Sequence, residues 1–424
     1  MFNIKDVEIQ NIDHLGIVAG IVDSIGLVEI INDLLGVEEE EKVSCGNVVK
    51  AMILNGLGFV SKPLYMFPKY FESIPCEHLI GEGVKPEYLN DDKLGRVLDK
   101  LFLKGLDTTF LAISLNVVQK FQISTLISHL DSSSLHMHGE YKSCLPEVIF
   151  ENEQEELQFK SKQAISVTHG YSRDHRPDLK QFLMELICTG DGDIPIFFKS
   201  VSGNQTDSQS FGKIAVEYQK QMKVDSLIVA DCALYTEPNI KLMSEIKWLS
   251  RVPLTIKEAQ LLVSETPESE FIDSELLGYS FVAKRSNYGG IEQRWLVVQS
   301  QERKESDLRK LSQKIVKDLG KSKSALKKIS SEKFACKVDA MKELSKLSKQ
   351  FKYHQLEKIE VNLITPKQQK SEKEEKEEAY YLISAAIIQD DNKINKDRLS
   401  AGRFILATNV LEESQLGNGT MIYE

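Results

Sequence analysis

The run Ser226-Leu-Ile-Val-Ala230, closed by Asp231, constrains this 424-residue chain more than any other stretch. It is too short for a helix and lacks polar alternation, so it reads as a strand covered on both faces. Such a strand belongs where helices pack on both sides of a sheet, which points to a layered α/β fold. The neighbouring stretches agree with that reading. Residues 127–138, 165–169 and 182–188 each have strand character, and Thr189-Gly-Asp-Gly-Asp193 supplies a tight turn into Ile194-Pro-Ile-Phe-Phe198. Residues 207–222 are amphipathic and helical, residues 237–246 form another helix, and Trp248-Leu-Ser-Arg-Val-Pro253 is a further strand. The order is strand, strand, strand, helix, strand, helix, strand.

On either side of this core the pattern changes. Residues 1–122 read as a helical domain, with apolar residues at helical spacing from Ile17 to Leu35 and Gly36 as the stop. A second helix begins at Cys45 with Ser44 as its N-cap, and residues 94–102 and 108–121 give two more. Short helices on short loops suit a helix-turn-helix DNA reader or an interaction domain, and no recognition helix stands out. Residues 147–163 form a Glu-rich loop. Residues 255–297 are β-rich, with a turn at Asn287-Tyr-Gly-Gly290, and 300–358 read as two long basic helices around Gly320. Residues 367–378 are a Lys/Glu run, and strand character returns at 380–386 and 403–408.

Composition narrows the class. A chain of this length with 42% hydrophobic residues carries a sizeable core in roughly two to three domains. It has no run of about eighteen apolar residues, and its first residues lack a basic region leading into an apolar stretch. We therefore expect neither a membrane span nor a signal peptide. The six cysteines are scattered without a Cys-x-x-Cys pair, which suits reduced thiols in the cytoplasm and argues against zinc. The net charge of −10 excludes a uniformly basic nucleic-acid binder. Yet residues 301–352 hold 16 Lys/Arg against 7 Asp/Glu, whereas the first 124 residues hold 11 against 18. An acidic protein with one basic arm still has the means to hold DNA.

Asp131 and Asp231 each follow an apolar run, so each is expected at a strand end with its carboxylate toward solvent. Ligands of α/β sheets gather outside strand carboxyl ends. One carboxylate holds a hard cation poorly. Two on adjacent strands, joined by a third acid, hold a pair of Mg²⁺ or Mn²⁺ ions suited to in-line phosphoryl transfer. His129, His136 and His138 crowd Asp131 without a cysteine or fourth ligand in register. The aspartate-nucleophile phosphatase pattern fails, because Ser133 stands where a second aspartate is needed.

Several longer stretches share a source of resemblance. They are His129-Leu-Asp-Ser-Ser-Ser-Leu-His136, Thr168-His-Gly-Tyr-Ser-Arg-Asp174-His-Arg-Pro-Asp178, Ser202-Gly-Asn-Gln-Thr-Asp207, Ile228-Val-Ala-Asp-Cys-Ala-Leu-Tyr235 and Trp248-Leu-Ser-Arg-Val-Pro253. In these the chain resembles the DDE transposases of bacterial insertion sequences from about residue 120 onward. The resemblance implies an RNase H-like core (a mixed sheet flanked by helices) over 123–254, with the helical N-terminal domain before it. It also implies an inserted β/helical subdomain over 255–395 and a return to the core at 396–424. Asp131 and Asp231 would be the first two catalytic and metal-binding acids. The partners would be transposon-end and target DNA, on a homodimer, with no membrane and no small-molecule substrate. Arg173, His175, Arg251, Lys327 and Lys328 would be candidate DNA contacts. In the family the third acid is a glutamate on a helix after the last core strand. Here that strand is Gly402-Arg-Phe-Ile-Leu-Ala-Thr-Asn409, and Glu424 stands about a turn or more too early. The expectation is therefore a C-terminally truncated transposase with an incomplete site. The alternatives are a catalytically dead DNA-binding remnant that represses its parent element, and a metal-dependent nuclease.

Overall fold

The computed structural model describes residues 10–141, 164–365 and 379–412. The Glu-rich loop at 147–163, the Lys/Glu run at 367–378 and Glu424 lie outside the described residues. The chain divides into two compact units, Met1–Ser250 and Arg251–Glu424. Among the described residues no single helix is long and apolar enough to cross a membrane.

The first unit opens with seven helices: α1 (Leu15–Ile25), α2 (Leu27–Leu35), α3 (Cys45–Gly56), α4 (Phe67–Phe71), α5 (Cys76–Leu79), α6 (Asp91–Lys104) and α7 (Leu106–Phe121). The apolar stretch 17–35 is two helices rather than the expected one. Gly26 adopts φ 76°, a left-handed conformation that ends α1 and restarts the chain as α2. Ser44 caps α3, its hydroxyl accepting the Asn47 N–H at 3.2 Å. The inward residues of these helices, Ile31, Val48, Leu54, Phe71, Leu89 and Leu94 among them, make one core.

A mixed sheet follows, with β1 (Ile127–Met137), β2 (Lys180–Thr189), β3 (Pro195–Ser202), β4 (Leu227–Ala230) and β5 (Trp248–Arg251). These strands lie in the order β3-β2-β1-β4-β5. The first three strands meander antiparallel, while β4 runs parallel to β1 and β5 parallel to β4. Each parallel step requires a crossover. The one into β4 carries α8 (Asp207–Met222), and the one into β5 carries α9 (Glu237–Leu242). Helix α8 packs on one face through Phe211, Ile214 and Tyr218, all buried. Its Tyr218 hydroxyl meets Ser128 Oγ of β1 at 3.0 Å, and Ser128 meets Ser226 Oγ at 2.7 Å. Helix α7 packs against β3, with the rings of Phe110 and Phe198 5.7 Å apart. The expected strand at 165–169 is not one: only Thr168 bridges to Gln181.

In the second unit the strands β6 (Ile272–Asp273), β7 (Tyr279–Tyr288), β8 (Ile291–Ser300) and β11 (Arg403–Thr408) lie in the order β11-β8-β7-β6. Strands β7 and β8 join through Gly289 and Gly290, both at positive φ, as a two-residue hairpin turn requires. The remaining elements are α10 (Lys257–Glu265), α11 (Gln301–Ser330), α12 (Lys337–Ser348), β9 (His354–Ile364), β10 (Tyr380–Gln389) and α13 (Asp391–Leu399). Strands β9 and β10 form a separate antiparallel pair. The expected break at Gly320 is absent: α11 is one 30-residue helix running through it, and the helical stretch ends at Ser348, not 358. Strand β11 carries a buried cation, Arg403, which donates to the carbonyls of Val263 (3.1 Å) and Thr266 (2.7 Å) at the end of α10.

Candidate active site

The parallel register of β1 and β4 pairs Leu130 with Ala230 as its last step. The next residue in each case is an aspartate, so Asp131 and Asp231 stand at the same level. Asp131 is not at a strand end as expected, because β1 continues to Met137 against β2 alone. What ends there is the pairing with β4, and that opens the sheet beside it. Both aspartates are exposed. Each is steadied by a backbone N–H that follows it: Asp131 Oδ1 accepts the Ser132 N–H and Asp231 Oδ1 the Ala233 N–H, both at 2.8 Å. The Ser250 hydroxyl of β5 donates to the Asp231 carbonyl at 2.7 Å.

These two carboxylates have the donor chemistry of a hard-cation site, since Mg²⁺ commonly takes one or two carboxylates and completes its shell with water and substrate phosphate oxygens. Among the described residues no three His, Cys, Asp or Glu side chains are grouped to hold a metal by themselves. His136 is engaged through both ring nitrogens, Nδ1 with Asp174 at 3.3 Å and Nε2 with Ser172 Oγ at 3.2 Å.

Behind Asp131, on the opposite face of β1, lies a polar network that the sequence reading did not assemble. Arg173 donates to the Ser132 carbonyl, to Ser132 Oγ at 2.9 Å and to the Asp207 carboxylate. Ser132 Oγ donates in turn to Asp207 Oδ1 at 2.6 Å. The Arg173 guanidinium thus ties the loop after Thr168 to β1 and to the first residue of α8. Glu185 faces Ser132 across one strand pair and Lys199 across the other. It is fully buried, and neither carboxyl oxygen has a hydrogen-bond partner among the described residues. Burial pushes its pKa up to about 7, only partly offset by the nearby Ser210 hydroxyl. The one acid in the apolar run of β2 was the available signal.

The loop itself is clamped by Gln181, whose amide donates to the carbonyls of Tyr171 (3.1 Å) and Gly203 (2.9 Å). Gly170 and Gly203 approach so closely that a Cβ on Gly170 would lie 1.9 Å from the Gly203 carbonyl oxygen. His175 stands exposed in this loop at φ 57°. Next to it, Arg176 holds Asp178 by two hydrogen bonds and lowers its pKa to about 2.

The other candidate contacts lie in the second unit. Arg251 lies over the Phe404 ring at 5.5 Å. Lys327 and Lys328 are exposed in the last turn of α11.

Residues 7–115 match a family described as a domain of unknown function, DUF4277. No curated protein matches the chain in sequence. Among solved structures the chain is similar to the piggyBac transposase in its synaptic complex with hairpin DNA, at 9% identity and a TM-score of 0.27. That similarity covers 65% of this chain and 48% of the transposase chain, less than half its length.

Proposed function

We propose that the chain is a transposase that cuts and joins DNA by metal-dependent phosphoryl transfer on an RNase H-like core. The observation that carries this reading is the register of β1 and β4, which brings two exposed aspartates, 100 residues apart in sequence, to one level of one sheet. The strand order β3-β2-β1-β4-β5, with the last two parallel to β1, supports the core assignment. The N-terminal helices support it separately, since DUF4277 is a family found in transposases.

In this reading Asp131 and Asp231 would hold Mg²⁺ or Mn²⁺, and the backbone N–H groups that pin one oxygen of each leave the other for the cation. A bound divalent ion would supply Lewis acidity to the phosphate and lower the pKa of an attacking water or 3′-hydroxyl. The protein's share is position and charge. Arg173, Ser132 and Asp207 hold the backbone at Asp131 fixed from behind. Two carboxylates are short of the three that such a site uses, so the proposal includes an incomplete site in this chain; dimerisation around paired DNA ends belongs to the same proposal.

The test is nicking of supercoiled plasmid in Mg²⁺, and joining of a 3′-hydroxyl oligonucleotide, by the wild type and by Asp131→Asn and Asp231→Asn. Each near-isosteric change should lower both activities by more than the roughly 10–100-fold typical of residues that only support a ligand. Cleavage without joining would make the chain a nuclease. DNA binding without cleavage would make it a repressor-like remnant. Activity untouched by either substitution would remove the site.

A further inference from the structure

We propose that the second unit carries a binding pocket for phosphate oxyanions, built from residues of that unit alone. A cavity of about 400 Å³ opens between the segment that follows α12 and the helix α13. Four lysines line it, Lys349 and Lys352 from the segment and Lys393 and Lys396 from the helix, with a single carboxylate, Asp397. That carboxylate is already engaged, accepting the Tyr353 hydroxyl at 2.9 Å. Lys393 has Asp390 at 3.4 Å, and the Lys352 ammonium sits over the Tyr353 ring at 5.1 Å. Among the described residues the side chains of Lys349 and Lys396 have no ion-pair or hydrogen-bond partner.

The rim is held in place before any ligand arrives. The backbone N–H groups of Lys352 and Tyr353 both donate to Asp318 of α11, at 3.3 and 2.9 Å, and His354 Nδ1 lies 2.8 Å from the same carboxylate. Lys393 and Lys396 are three residues apart on α13 and therefore share a face. A plainer account exists for each lysine separately. Lys349 caps α12 and Lys396 lies in the last turn of α13, where a cation complements the helix dipole. That account does not explain why four lysines line one concavity whose single carboxylate is already engaged. A lysine ammonium is a compact, strongly hydrated point charge suited to phosphate. The shared chemistry is that of a phosphate oxyanion, whether in a nucleic-acid backbone or in a free polyphosphate. Assigning it to DNA rests on the function proposed above; the pocket's preference for phosphate does not.

Two probes on the full chain separate the possibilities. One is sodium tripolyphosphate, read as a thermal shift. The other is a labelled 30-base-pair duplex of arbitrary sequence, read by anisotropy over a range of salt concentrations. The wild type is compared with a variant carrying Lys349→Gln, Lys352→Gln, Lys393→Gln and Lys396→Gln. A control of equal charge change carries Lys213→Gln, Lys220→Gln, Lys223→Gln and Lys257→Gln, exposed lysines outside the basic stretch 301–352. The double variant Lys349→Gln, Lys396→Gln loses no partner in the fold and serves if the fourfold variant melts early. Tripolyphosphate should raise the Tm of the wild type and the control but not of the pocket variants. If the pocket grips a DNA backbone, the fourfold change should also flatten the slope of log K against log salt by roughly 2, as for two phosphates released, and by more than the control. A lost thermal shift with an unchanged duplex slope would assign the pocket to free polyphosphate. No shift in the wild type with an unchanged duplex slope, or equal losses in pocket variant and control, would overturn the proposal. Plasmid nicking dependent on Asp131 is read in parallel, so that failure of the pocket and failure of the catalytic reading are told apart.

Discussion

Glu185 sits between Ser132 and Lys199 in the sheet with α8 packed over it, and that position sets its titration. In the folded chain its carboxyl stays protonated up to about pH 7, whereas an unfolded glutamate loses its proton near 4.5. Between those values the native state holds a proton that the unfolded state does not, so stability is full below about 4.5 and falls as pH rises toward 7. The shift corresponds to at most about 3 kcal/mol. Glu185→Gln should match the wild type in urea melts at pH 4 and exceed it at pH 8 by up to that amount. Parallel stability curves for the two proteins would show that the carboxyl is ionised in the fold after all. At this scale the sequence was legible where a residue's meaning is local. The apolar runs before Asp131 and Asp231 belong to adjacent strands, though Asp131 lies inside β1 and not at its end. Arg173 does not, because its partners Ser132 and Asp207 lie 41 and 34 residues away and only the folded loop brings them together.

Elements with a strong period were read well, and their punctuation less so. Residues 207–222 carry enough helical periodicity that the expected bounds coincide with α8. The glycines misled in both directions. Gly26 breaks a stretch that reads as one helix, because the chain there turns left-handed. Gly320 leaves unbroken a stretch that reads as two, because nothing crowds the backbone at that point. A Cβ built on Gly320 meets no atom within 4 Å. Gly320→Ala should therefore stabilise the second unit by about 0.5–1 kcal/mol, the usual difference in helix propensity, with function unchanged. A thermal or urea melt reads it directly, and a loss of stability would mean that the helix is kinked there in solution. The short helices α4 and α5 were missed because five and four residues are too few to show a period.

Over the whole molecule, charge is the property most plainly written in the sequence. A chain of net charge −10 concentrates its positive excess in residues 301–352, and α11 displays Lys327 and Lys328 to solvent. If that helix meets DNA, Lys327→Gln with Lys328→Gln should weaken duplex binding uniformly across sequences and flatten the salt slope by roughly 1–2. An unchanged slope would place both lysines away from the phosphates. The topology of the first sheet has a further consequence, one of timing. Leu130 and Ala230 become neighbours only by closing 100 residues of chain, and a parallel pairing offers no local turn to begin from. The β2–β3 hairpin and the N-terminal helices rest on nearby contacts and form early by comparison. A ribosome making this protein therefore releases Asp131 long before Asp231 exists to face it. The two carboxylates are brought level only once β4 has emerged and docked on β1, after β2 and β3 are already in the chain.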